Sequence, residues 1–329
     1  MNRTPRWLTE VTAWAAALVL VAGVVGVIGG WSIHGARPAA QAEAPVVTPS
    51  PTSRQVHANV PVVTTSPIPA RQPTATHASA SSPLLGPPPG PQYDAPPAQT
   101  APPEQRYAFL AGITHYRAPT HDTIGAANDV RFIAALLERD GWLPQNILVV
   151  VDGAATGTAI RGGLAWLASK STPGTFAFFH YSGHVKQYGD TENLWPVDSA
   201  FIADDDMGAL LARGTGKMWV DIAGCEAGGF LGSLPSSRVL FTGSSRSSEK
   251  SYEYPQWGES IWAGLLFDIG TGQGAADADK NGLVTMGEAL RYASYYASSI
   301  TRDQRPYGPQ TPQVAGDSVR GWTLADPPA

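Results

Sequence analysis

The chain has 329 residues, 43% of them hydrophobic and 15% charged, with a formal net charge of −5. An acidic balance without Lys/Arg runs argues against nucleic acid as a partner. A single cysteine, Cys225, excludes an internal disulfide framework and any multi-cysteine zinc site.

In chain order, residues 11–33 (VTAWAAALVLVAGVVGVIGGWSI) come first and carry no charge. At a rise of about 1.5 Å per residue this run exceeds a bilayer core of roughly 30 Å. Arg3 and Arg6 precede it, which predicts a single-pass anchor with the N-terminus in the cytoplasm and the rest outside the cell. Ala40-Gln41-Ala42 has the small-x-small form that a signal peptidase accepts, so cleavage and secretion are the alternative. Residues 1–37 are therefore read as a cytoplasmic tip and membrane helix. Residues 38–104 hold 17 of the 29 prolines, five charged residues and no Trp. Such a stretch cannot bury enough apolar surface to offset chain entropy and reads as a disordered spacer. One domain remains, 105–329.

Within it, apolar runs at 107–113, 146–151, 175–182, 218–223 and 238–242 read as strands. Helical patterns fall at 128–137, 159–169, 205–213, 260–269 and 286–298. The alternation predicts an α/β fold with a mostly parallel sheet covered on both faces, whose site lies at the carboxyl ends of the strands. Two strand ends hold unusual residues: HYSGH at 180–184 and DIAGCEAGGF at 221–230. A thiol needs a nearby imidazole to become a useful nucleophile at neutral pH, and a glycine-flanked Cys at a strand end offers backbone N–H groups to an oxyanion.

The sequence YSGH followed by Cys-x-Ala-Gly-Gly resembles the caspase-like cysteine peptidases, and bacterial metacaspase relatives in particular. YAFLAGITHY at 107–116, GAAND at 125–129, LWPVD at 194–198, the pair Ser244-Ser245 and Ser251-Tyr252-Glu253 agree in order. The resemblance implies a caspase-like three-layer sandwich that cleaves peptides or proteins without a catalytic cofactor. It makes His184 the general base, Cys225 the nucleophile, and the backbone N–H groups of Val185 and Cys225 the oxyanion donors. It sets Asp129 and Ser182 in a pocket for Arg or Lys, with Ser245 and Glu253 also at the substrate; Asp129 otherwise reads as a helix-start residue. His180 reads as structural.

Three departures stand out. Ala223 replaces a second pocket acid, for which Asp221, on the same strand face, is the deeper substitute. Val185 replaces a glycine, and a β-branched residue resists positive φ. Glu226 follows the thiol, where a carboxylate raises its pKa unless it points away. An inactive peptide-binding module is thus the alternative reading. A sortase-type transpeptidase is a second, although its closed barrel disagrees with the helical patterns. Arg238, Arg246 and Lys250 lie where a basic-specific peptidase could cut itself.

Residues 277–288 (DADKNGLVTMGE) fit the EF-hand loop pattern, with Asp277, Asp279 and Asn281 at the alternating positions, Gly282 at the turn and Glu288 closing the shell. A plain Asp-Asn-Gly turn is the alternative. The resemblance also implies an activating calcium site, for which Asp204, Asp205 and Asp206 are the candidate and a helix N-terminal turn the alternative.

Overall fold

The computed structural model describes residues 86, 88–89, 98–235, 237–316 and 318–326. The apolar run 11–33 and most of the Pro-rich stretch lie outside the described residues. Among those described, no helix is long and apolar enough to cross a membrane. The domain begins earlier than residue 105: Gln99 bridges to Trp322 and Ala101 is buried.

Six strands form the central sheet: β1 (Arg106–Gly112), β2 (Ile147–Val151), β3 (Phe176–Ser182), β7 (Lys217–Ala223), β8 (Val239–Gly243) and β11 (Gln313–Ala315). Their order is β11-β8-β7-β3-β1-β2, and only β11 runs antiparallel. All seven residues of β3 are buried, as a central parallel strand covered on both faces requires. Side chains alternate between two cores. Ala108, Leu110, Phe176, Phe178 and Trp219 pack with helices α1 (Ala126–Arg139) and α5 (Met286–Thr301). Phe109, Ala111, Ala177, Phe179 and Val220 pack with α2 (Gly157–Lys170) and α3 (Asp204–Leu211). The expected three layers are present, and an open sheet excludes the closed barrel of the transpeptidase reading.

Several elements carry no clear periodic signal. A small antiparallel sheet joins β4 (Val185–Tyr188), β5 (Thr191–Leu194) and β6 (Ile202–Ala203) directly after HYSGH. A hairpin pairs β9 (Glu253–Tyr254) with β10 (Glu259–Ser260). The helix expected at 260–269 is a single α turn, α4 (Ile261–Ala263), that continues as a π-helix over Gly264–Gly272.

One polar network crosses this apolar interior. His180 and Asp221 are register partners on β3 and β7, both fully buried, with His180 Nδ1 at 2.7 Å from Asp221 Oδ2. Asp221 Oδ1 accepts from Trp262 Nε1 at 2.9 Å and from Thr242 Oγ1, which itself accepts from Trp219 Nε1 at 2.8 Å. Buried acceptors of this kind are favourable only when their donors are present. Replacing Asp221 with Ala strands three buried donors. It should cost roughly 3–5 kcal/mol of stability in urea unfolding, and a loss below about 1 kcal/mol would contradict this account.

Candidate active site

From the His180–Asp221 pairing, β3 and β7 run in parallel register to Ser182 and Ala223 and end side by side. His184 and Cys225 follow these ends, and both line one narrow cleft of about 30 Å3, together with Ser182, Ser251, Glu253 and Ser260. The glycine before each of these two residues answers to crowding. A Cβ on Gly183 would lie 2.6 Å from Tyr116 Oη, and one on Gly224 would lie 2.8 Å from the Gly183 carbonyl.

The loop between β1 and α1 holds His184. Its backbone N–H donates to Tyr116 Oη at 2.8 Å, and its Nε2 donates to the His121 carbonyl at 2.7 Å. The ring rests against Tyr116 and Trp195, with centroids 4.6 and 5.7 Å away. With Nε2 committed as a donor, a neutral ring carries its lone pair on Nδ1. Burial lowers the imidazole pKa, outweighing the hydrogen bond to His121. The loop is itself fastened. Asp152 Oδ1 accepts from the N–H groups of Thr114 and His115, and Glu253 accepts from those of Ile124 and Gly125 at 2.7 Å each. Sequence reasoning missed His121 because it acts through a backbone carbonyl, and it missed Tyr116 although the residue sits inside YAFLAGITHY.

Cys225 sits on an equally constrained turn. Ser244 Oγ accepts from Gly224 N–H at 3.0 Å and donates to the Gly224 carbonyl at 2.8 Å; Ser245 Oγ donates to the same carbonyl at 3.1 Å. Ser245 is fully buried and does not line the cleft, so its expected contact with substrate gives way to a role in bracing the turn. The sulfur accepts from Ser251 N–H at 3.5 Å. Burial pushes the thiol up from its ordinary value. Glu226 does not face the thiol as an uncompensated charge, because its Oε1 pairs with Lys250 Nζ at 2.6 Å. The left-handed backbone expected to strain Val185 falls instead at Glu226, with φ of 58°. Val185 extends into β4, and its side chain is buried in the core.

Acidic groups collect beneath the cleft. Asp129 is 1% exposed and accepts from Ser182 Oγ at 2.6 Å and Ser260 N–H at 3.0 Å. Burial raises its pKa, pushes Glu253 up to about 7, and pushes Glu259 up to about 9. The charge of Asp129 adds to the rise of both glutamates. Among the described residues no Lys or Arg pairs with any of the three. Glu259 was missed, since an isolated acid before an apolar helix has no pattern to mark it. Asp221, expected as the deeper pocket acid, does not line the cleft; the buried network with His180, Thr242 and Trp262 consumes its carboxylate.

Of the two calcium candidates, one converges. Asp277, Asp279 and Glu288 bring ligand oxygens within 4.8 Å of one another, the sole three-acid group of this kind among the described residues. Asn281 Oδ1 accepts from Leu283 N–H, and Glu288 also forms a capping box with Thr285 at the start of α5. Asp204, Asp205 and Asp206 form the first turn of α3, where Ser233 Oγ donates to Asp204 at 2.7 Å and Asp205 at 2.9 Å. They gather no metal-sized group and complement the helix dipole instead.

A thiol and an imidazole lining one cleft, with Ser251 N–H at the sulfur, can add sulfur to a carbonyl and pass the proton onward. Comparison with known proteins agrees in kind. Metacaspase-1 of Schizosaccharomyces pombe is 28% identical over 201 residues, covering 54% of this chain and 46% of its own. Metacaspase-2 of Trypanosoma brucei brucei is 27% identical over 201 residues, covering 55% and 58%. Metacaspase-5 of Trypanosoma cruzi is 32% identical over 126 residues, covering 32% and 28%. The chain thus spans about half the length of these first two relatives. The caspase-domain model of the C14 peptidases matches residues 105–282, more than half of the chain, and the chain belongs to that family.

Proposed function

We propose that this domain is a cysteine endopeptidase in which Cys225 attacks the scissile carbonyl and His184 carries the proton. The observation behind this reading is the shared cleft, with His184 Nε2 tied to His121 so that Nδ1 is the basic nitrogen. A raised thiol and a lowered imidazole leave the proton on sulfur at rest. Attack then couples two events: the S–C bond forms as the thiol proton moves to Nδ1, and the carbonyl electrons collect on oxygen. The N–H groups of Val185 and Cys225 are the proposed donors to that oxyanion. Collapse expels the amine with the proton from His184, and water hydrolyses the thioester. Ser182 and Glu253 on the cleft wall, with Asp129 buried behind Ser182, support a preference for Arg or Lys before the scissile bond, since a basic side chain supplies a cation that the cleft lacks. The apolar run 11–33 supports a membrane tether with the peptidase outside the cytoplasm.

Cys225→Ala should lower hydrolysis of Arg- and Lys-ending fluorogenic peptides by at least about a thousandfold. Equal turnover by the variant removes Cys225 from the mechanism.

The pH dependence has a definite sign. Glu253 is charged above about pH 7 and His184 is neutral above a pKa lowered from 6.5, so acidification removes first the pocket charge and then the base. With a Lys or Arg peptide, kcat/KM should fall on the acid side in two steps, near pH 7 and below 6.5. Glu253→Gln should abolish the upper step; persistence of that step assigns it elsewhere.

The loop 277–288 supports calcium binding, with Asp277, Asp279, Asn281 and Glu288 as oxygen ligands. Millimolar calcium should raise Tm by several degrees, and Asp277→Asn with Asp279→Asn should cancel the rise. A calcium-independent melt for the unsubstituted protein excludes the site.

A further inference from the structure

The chain returns across the thiol after β8. Glu226 N–H donates to the Glu249 carbonyl at 2.8 Å, and two residues later Ser251 N–H meets Cys225 Sγ at 3.5 Å. Between these anchors, Lys250 Nζ reaches Glu226 Oε1 at 2.6 Å, with the two side chains only 28% and 16% exposed. The strap is also fixed from its far side, where the Glu249 carboxylate accepts from Thr311 N–H at 2.7 Å and Thr311 Oγ1 at 3.0 Å. Lys250 is therefore held near Cys225 by its pairing with Glu226, with part of its side chain in solvent.

We propose that Lys250 is a positioning residue of the peptidase: its ammonium neutralises Glu226 and, together with Ser251 N–H, stabilises the Cys225 thiolate as it forms. This rests on the reading of Cys225 as the nucleophile. The charged and titratable groups facing the sulfur are Glu226 on its own turn, Lys250 on the strap, Glu253 on β9, Tyr252 beside it and His184 across the cleft. Burial dominates and raises the thiol pKa, Glu226 and Glu253 add to the rise, and Ser251 N–H and Lys250 oppose it. For Lys250, burial works against the charge. The Glu226 hydrogen bond and the fields of Cys225, Glu226 and Tyr307 outweigh that cost, so it stays protonated. An opposite charge at close range favours the anion, and removing it moves the thiol in one direction only.

The chain has one cysteine, so alkylation of the full-length protein by iodoacetamide reports Cys225 alone. The thiolate is the reacting species, and the rate constant followed from about pH 7 to pH 11.5 gives its midpoint. Lys250→Met should shift that midpoint upward by about one unit and slow alkylation near neutral pH about tenfold. Lys250→Arg should keep it close to the original, Glu226→Gln should lower it, and the double variant E226Q/K250M should return it toward the original. A midpoint in K250M that matches the unsubstituted protein overturns the proposal. So does a shift that K250R shares in full, because geometry rather than charge would then be responsible. If K250M does not fold, Lys250→Gln takes its place: an upward shift supports the proposal and an unchanged midpoint overturns it. Because alkylation needs no peptide hydrolysis, the two readings fail separately: shifts in a protein that cleaves no peptide refute the peptidase reading, and unshifted midpoints in an active one refute the role of Lys250.

Discussion

The parallel pairing of β3 with β7, in the register that sets His180 opposite Asp221, is the constraint on which the rest of the site depends. Four residues beyond that pair on each strand stand His184 and Cys225. A parallel ladder slipped by one residue would turn every side chain of a strand to the other face. Here a slip would bring an apolar neighbour, Phe179 or Tyr181, opposite Asp221. It would also leave a buried carboxylate without its histidine, so the apolar core and the polar pair penalise the same error. The register is thus fixed well below the cleft, and the cleft inherits it.

What stands above the sheet is held by backbone groups more than by side chains. A carbonyl at His121 orients the imidazole, and N–H groups at Ile124 and Gly125 fasten that loop to Glu253. Gly224 is held by two serine hydroxyls. This explains which parts were legible in the sequence. The central strands are apolar runs, and β1 lies within one residue of its expected place, 106–112 against 107–113. HYSGH and the glycine-flanked Cys were legible because strand ends seldom carry such residues. The β4–β5 hairpin (VKQY and TENL) was not, since its strands are short and largely polar. Nor was the π-helix, whose apolar run looks the same in either helical form.

Residues assigned from resemblance fared unevenly, for a physical reason. Asp221 and Ser245 both belong near the site, yet each spends its polar atoms on the scaffold. Position along a strand says which face a side chain occupies. It does not say whether a neighbour such as Trp262, some forty residues away in sequence, has already taken the acceptor. Ser182 ends its strand, and its hydroxyl sits on the cleft wall against Asp129.

The resting proton inventory connects this architecture to the proposed reaction. Burial raises the thiol and lowers the imidazole, so neither side of the proposed dyad is charged before substrate arrives. A neutral thiol reacts slowly with oxidants and with stray electrophiles, which suits a lone cysteine proposed to work outside the reducing cytoplasm. In the proposed reaction the cost is that the thiol must be ionised during the attack itself. That requirement would give meaning to the groups around the sulfur: the proposed base His184 on the same cleft, an N–H at Ser251 and a cation fixed by Glu226. Each strengthens only as negative charge develops on the thiol, and so each contributes more to the transition state than to the ground state.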